Sequence, residues 1–498
     1  NTMTSPLVTG IRVDNTAPTV SVVVASGATG AFLSGAKIYF KSNAAGSFGL
    51  LATVTDSGSG AASAAFPLLS ATGWTHAAES VTTPSGGPFA STSFVWTSGA
   101  ATPGTYTVTL ADVAGNAATS AFTFTADATA PTGSVTAPAA AANVRGALTV
   151  TSSSADAGAG VASAQFQSSP AAAGTWANLG AADLLTPYTA AWDTTSFSDG
   201  LYDLRVTTND NVGNTFTSAA LANVRVDNTP PTGAITAPAA NAFLNGASVA
   251  VTAGSADGGS GVSSAQFQTS PHGAGTWSNL GAADTTSPYG VTWNTTGSAD
   301  GQYDVQVVTT DKAGNTFTSP AVAVEVQNAA PRPTAVQLLD GGSTAGRADQ
   351  GDRIVATFSQ TLRVSTLCST WSGDFSDQSL TSLGDVTVTL VDGGAASDSL
   401  TVASASCTLH FGSVNLGSTS AVTGGNATFS GSTIADRTTV AWNAAAHSLT
   451  ITLGHSGGAG IAGTVPSSSA VYTPDAAIKN GFGTAITGTF TTGVITLF

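Results

Sequence analysis

Aspartates in loops are the residues of this sequence whose type and spacing could do chemistry. Asp112, Asp210 and Asp311 open the runs DVAGN, DNVGN and DKAGN, while Asp14, Asp127 and Asp227 directly precede NTAPT, ATAPT and NTPPT. Calcium takes carboxylate, carbonyl and amide oxygens, so carboxylates converging with Asn oxygens at the ends of successive modules make a candidate calcium site that would stiffen the connection. The same aspartates also serve as turn formers, because an Asp side chain bonds its own backbone two residues on. In the last such stretch, VQNAAPRPT, Asn328 stands in place of the aspartate.

Other reactive arrangements are missing. The five histidines, His76, His272, His410, His447 and His455, have no His-Glu-x-x-His spacing, and neither a Gly-x-Ser-x-Gly nor a phosphate-loop motif occurs. His410, three residues after Cys407 in an alternating run, reads as a sheet residue. Asp199 and Asp203 flank Tyr202 where a turn feeds a strand, so they read as turn residues and not as an acid/base pair. No catalytic residue is assigned, and the chain is not expected to be an enzyme. Cys368 and Cys407 are the two cysteines. Without Cys-x-x-Cys spacing they read as a structural disulfide, whose loop would stabilise by about 4 kcal/mol and which implies an oxidising, extracellular setting.

The elements that must position these residues are strands. Only 8% of the 498 residues are charged, yet apolar residues alternate with Thr and Ser in runs such as TYTVTLAD and HSLTITLG, a half-buried strand pattern. Glutamate occurs only at Glu79 and Glu325, so nearly all 28 acidic residues are the turn-forming aspartate. The net charge of −15 excludes a nucleic-acid partner, because phosphate binding needs clustered Lys and Arg. No run approaches the ~20 apolar residues of a membrane span.

Repetition sets the domain plan. Trp176 and Trp277, Tyr202 and Tyr303, and Asn214 and Asn315 recur with a period of 101, and a looser copy lies upstream. The Pro-rich runs mark boundaries because proline is excluded from central strands. Modules are placed at 16–129, 130–229 and 230–329, followed by a larger domain at 330–498. In each module the last two strands form a hairpin around the DxxGN turn. Tyr106, Tyr202 and Tyr303, at the start of the penultimate strand, are expected to bond back to the backbone. The recurring Trp176, Trp277, Trp192 and Trp293 read as repeated core.

Residues 1–15 match the end of the second module: NTMTSPLVTGIRVDN parallels NTFTSAALANVRVDN. They read as the orphan last strand of a preceding repeat, with Met3, Leu7, Val8, Ile11 and Val13 as its apolar positions. A neighbouring polypeptide or the remainder of a longer repeat protein would supply the other strands.

The segments YTAAWDTT, DGLYDL and DNVGN, with YGVTWNTT, DGQYDV and DKAGN and the upstream GTYTV and DVAGN, resemble bacterial immunoglobulin-like modules of large secreted and cell-surface proteins. The phrases GDRIVATFSQTL and CTLHFGSVNLG resemble β-sandwich modules that close some surface-layer-like proteins. The resemblance implies an all-β fold: tandem immunoglobulin-like antiparallel β-sandwiches in an elongated rod plus a larger C-terminal β-sandwich. A structural role in an extracellular filament, sheath or layer is expected, and the unpartnered opening strand points to head-to-tail self-association by donation of the N-terminal strand. The alternative is a cell-surface adhesin stalk whose C-terminal domain binds a glycan or surface ligand; a further one is an accessory arm of a larger secreted enzyme.

Overall fold

The computed structural model describes residues 10–457 and 467–498, and the predicted strand positions Met3, Leu7 and Val8 lie outside them. Strands dominate throughout, and the only helical segments among the described residues are four short 3₁₀ turns. The chain divides into two compact units, residues 1–229 with 312–315, and residues 230–311 with 316–498.

The first unit holds two sandwiches. In the first, strands Thr19–Val24, Leu50–Thr55 and Phe89–Ala90 form one sheet, and Thr105–Asp112 lies centrally in another between Ala117–Ala126 and Ala61–Phe66. Alternation sets which side faces in. Tyr106, Val108, Leu110 and Asp112 are buried along Thr105–Asp112, whereas the residues between them are not. Phe40, Phe66, Phe89, Phe94, Trp96 and Phe124 fill this core.

The second sandwich packs Val135–Ala137, Ala147–Ser152 and Thr189–Asp193 against a sheet centred on Gly200–Asp210. The expected hairpin is present: Gly200–Asp210 turns back into Thr215–Thr217 and then Leu221–Val226, which pairs with it antiparallel. A short strand from the start of the module, Asn143–Val144, runs parallel to the far side of Leu221–Val226. Val224 and Val226 are thereby fully buried. A tyrosine corner is present: the Tyr202 hydroxyl donates to the Ser198 carbonyl at 3.0 Å, whereas in the first sandwich Tyr106 instead donates to the distant Pro67 carbonyl at 2.8 Å.

In the second unit a third sandwich repeats this plan. Gly301–Asp311 pairs with Val262–Pro271 and with Val322–Val326, and Ala242–Leu244 runs parallel to the last. Tyr303 donates to the Ala299 carbonyl at 3.1 Å. The C-terminal domain is larger, with a five-stranded sheet from Pro333–Leu339 to Gln378–Leu380 and a seven-stranded sheet ending in Ser468–Pro474 and Phe490–Ile495. Trp442, Tyr472, Phe358 and Phe411 lie in its core. The Cys368–Cys407 disulfide is formed, with Cα atoms 5.6 Å apart.

Two sequence-based expectations are corrected here. Trp192 and Trp293 are core residues, but Trp176 and Trp277 are only half-buried, because both follow glycine-rich loops leading to the short edge strands Ala177–Asn178 and Ser278–Asn279. The Arg205 guanidinium lies 4.1 Å from the centre of the Trp176 ring, a cation–π contact on the sheet surface. His410 is not in a strand; it follows the isolated Cys368–Leu409 bridge and sets Nδ1 2.8 Å from the Asp475 carboxylate.

Candidate divalent-cation sites

Three loops converge at the start of the first sandwich. Asp14 comes from the chain entering the module, Asp56 from the glycine-rich DSGSG turn and Asp112 from the end of the penultimate strand. One oxygen from each lies within 4.8 Å of the other two. The same happens between the first and second sandwiches, where Asp127, Asp156 and Asp210 come together with the same spacing limit. Asp127, Asp112 and Asp210 are buried.

Backbone hydrogen bonds hold each carboxylate in place. Asp14 accepts from the Thr16 and Ser59 amides at 3.1 and 2.7 Å, and the Thr16 and Ser59 bonds hold its carboxyl below the usual aspartate range. Asp127 repeats this with the Thr129 and Ala159 amides at 3.1 and 2.6 Å. Asp56 accepts from the Gly60 amide at 2.6 Å, and Asp156 from Gly158 and Gly160 at 3.0 and 2.7 Å. Asp112 and Asp210 cap the hairpin, accepting from the amides of Asn116 and Asn214 at 2.8 and 2.7 Å. The side-chain amides of the same asparagines reach back to the Asp14 and Asp127 carbonyls at 3.0 and 3.4 Å.

Glycine is required where the aspartate crosses the turn. A Cβ on Gly58 would sit 2.2 Å from Asp14 Oδ2, and one on Gly158 2.2 Å from Asp127 Oδ2. A side chain at either glycine would therefore displace the carboxylate that lies against the turn.

Charge makes the arrangement costly by itself. In the first triad Arg12, which donates to the Gly58 carbonyl, places a positive charge near Asp14 and helps lower its pKa, whereas the second triad has no lysine or arginine ion-pair partner among the described residues. Like charges this close repel, least at the solvent-screened Asp14 and most at the buried Asp112, Asp127 and Asp210. Calcium–oxygen bonds span about 2.3–2.6 Å, so one ion can reach three oxygens that all lie within 4.8 Å of one another. The donor set, carboxylates with nearby carbonyls, is all oxygen.

Of the aspartates expected from the sequence as calcium ligands, the structure brings Asp14 together with Asp112 and Asp127 together with Asp210. Sequence reasoning missed Asp56 and Asp156, which supply the third carboxylate of each group. Their signal is the repeated D-x-G-x-G run, present also at Asp257. In the third sandwich Asp257 accepts from the Gly259 and Gly261 amides at 3.0 and 2.6 Å, as Asp156 does in the second, and Asp311 is buried at the end of Gly301–Asp311. Asp227 is buried at the end of the first unit.

The assignment of Asn328 to the missing aspartate is corrected by the backbone. Asp127, Asp227 and Gln327 donate their amides to Phe40, Val144 and Leu244, three equivalent strand ends. Asn328 instead matches Asn228, since each accepts from a threonine hydroxyl, Thr295 and Thr194 respectively. The last strand of the third sandwich is one residue shorter, which shifts the register by one. Gln327 is thus the residue that replaces the aspartate.

Residues 231–307 match the bacterial Ig domain family, and residues 186–255 match the bacterial Ig-like domain family, group 3. The repeats are bacterial immunoglobulin-like modules. No curated protein matches the chain. Among solved structures, the chain is similar to fibronectin(III)-like modules of Clostridium thermocellum CbhA, at 20% identity over 40% of this chain and 94% of that one, with a TM-score of 0.28. A tetra-tandem repeat from the extending region of a large adhesion protein aligns at 15% identity over 96% of this chain and all of that one, with a TM-score of 0.24. Part of a 1.5-MDa bacterial ice-binding adhesin aligns at 13% identity over 64% of this chain and all of that one, with a TM-score of 0.23. The immunoglobulin-like modules contain no helix long and apolar enough to cross a membrane among the described residues.

Proposed function

We propose that the chain is a non-enzymatic structural arm of an extracellular bacterial surface protein, whose immunoglobulin-like modules are held at set angles by calcium bound to the aspartate triads. The repeated convergence of three carboxylates, Asp14 with Asp56 and Asp112, and Asp127 with Asp156 and Asp210, carries this reading. Asp127 belongs to the chain between two sandwiches, and Asp156 and Asp210 to the second of them, so an ion held by all three would fix the linker to the module it enters. An ion at one hundred times its dissociation constant would stabilise the bound state by about 2.7 kcal/mol.

Calorimetry of the full chain in calcium and in chelator tests the idea. Calcium should raise the melting temperature of the first unit, and Asp156→Asn should abolish most of the gain contributed by the second triad. Identical melting in both buffers would sink the proposal.

A second reading rests on Ile11 and Val13, which are 76% and 79% exposed, whereas their counterparts Val224 and Val226 are fully buried. Exposed apolar residues in a segment whose sequence matches a last strand favour pairing with a sandwich that accepts it. We infer that this segment pairs with a neighbouring copy to build a filament, and since each immunoglobulin-like sandwich has its own last strand, the acceptor would be the C-terminal domain. Sedimentation of the full chain should show concentration-dependent polymers that Ile11→Asp with Val13→Asp reduces to monomers. A wild-type chain that stays monomeric at high concentration rules out strand donation between copies.

A further inference from the structure

The junction between the third sandwich and the C-terminal domain, both in the second unit, is built differently from the cation sites. Gln327, which replaces the repeated aspartate, is buried. Its Nε2 donates to Glu325 Oε1 and to the Thr361 carbonyl, both at 2.8 Å, and its Oε1 accepts from the Gly481 amide at 3.0 Å. Glu325 Oε1 also accepts from the Thr361 amide at 2.9 Å. One neutral side chain thus ties the last strand of the third sandwich to two separate loops of the C-terminal domain.

An apolar contact lies beside it. Phe243, from the strand Ala242–Leu244, stacks on Phe375 with ring centres 5.1 Å apart and meets Phe482 edge-on at 6.4 Å. A Cβ on Gly481 would fall 2.1 Å from the Phe243 ring, so glycine there is what admits the aromatic.

The amide at 327 is chemically specific. It offers a donor to Glu325 and an acceptor to Gly481 at once, which a carboxylate cannot do. An acidic residue here would instead face the buried Glu325 carboxylate as a like charge.

We propose that this junction is a cation-independent lock: Gln327 and Phe243 hold the C-terminal domain on the third sandwich when divalent ions are withdrawn. The contrast with the earlier junctions rests on the calcium reading above, but the lock does not.

Hydrogen exchange of the full chain tests it, because the Thr361 and Gly481 amides are donors within the joint and the Ser59 and Ala159 amides are donors within the triads. Chelator should leave exchange at Thr361 and Gly481 unchanged. Gln327→Glu should accelerate both by about tenfold or more in either buffer, while the core strand Val386–Val391 stays protected. Phe243→Ala, which adds no charge, should accelerate Gly481 as well. Faster exchange at Thr361 and Gly481 on chelation alone would overturn the lock, as would wild-type exchange in both variants. Unchanged exchange at Ser59 and Ala159 on chelation would count against the calcium reading and leave the lock standing.

Discussion

At the residue scale, the second unit contains a histidine whose surroundings make acid costly. His447 sets Nε2 3.1 Å from the Thr361 hydroxyl, and burial lowers its pKa while the Glu325 charge opposes that shift. A folded value below the ordinary 6.5 means the unfolded chain binds more protons in the window between the two. Stability from the neutral ring is therefore complete above about pH 6.5 and is lost as the pH falls through the folded value. His447 has a left-handed φ of 50°, which asparagine tolerates better than most residues. We expect His447→Asn to flatten the acid slope of melting of the second unit, read by calorimetry from pH 7.5 to 5. An unchanged slope would assign the acid sensitivity elsewhere.

Residue identity was also where the sequence was most and least readable. Asp112 and Asp210 announce themselves because DxxGN needs a turn aspartate whether or not an ion is present. Asp56 and Asp156 do not, because in D-x-G-x-G the glycines draw attention as a flexible turn. Their purpose, admitting a second aspartate over the backbone, depends on contacts 32 and 45 residues away in sequence. Trp176 was misread for a related reason: a period shows that a residue recurs, and says nothing of its depth.

At the element scale, the glycine turns and the hairpins act as two halves of one holder. The Asp210 hairpin end is fixed by Val212 and Asn214 amides at 3.0 and 2.7 Å, and the facing turn by Asp156. Gly158→Ala tests whether the turn must lie so close. The added methyl would force the 156–160 loop or Asp127 to move, so calcium affinity at the second triad should fall about tenfold or more, as measured by titration calorimetry. The core around Val206 and Trp192 is remote from this methyl and should give an unchanged near-ultraviolet spectrum. Retained affinity would show that the triad does not bind as a set. The hairpins themselves were legible from alternation and turn composition. The short parallel strands Asn143–Val144 and Ala242–Leu244 were not, since two or three residues carry no periodic signal.

At the scale of the whole molecule, repetition with one departure organises the chain. The two exact-period modules share strand plan and, until their last strands, register, so a rule learned in one transfers to the next, as with the paired tyrosine corners. The departure at Gln327 comes from a one-residue shortening of the preceding strand, and a residue-by-residue period hides it. If the proposed calcium sites are filled, junctions that differ in chemistry give one chain two kinds of joint, one responsive to ions and one set by its own side chains.

The parallel pairing of Asn143–Val144 with Leu221–Val226 also has a bearing on how the protein is made. A ribosome must deliver residue 226 before residue 143 finds its partner, so each module stays open along one side until its final strand emerges. Long sequence separation of this kind slows closure, and modules synthesised earlier should close before later ones. The final strand of the next copy, Val322–Val326, fills the equivalent slot of its own module and would be a competitor for this one. Synthesis from the N-terminus removes that competition by closing one slot before its rival exists.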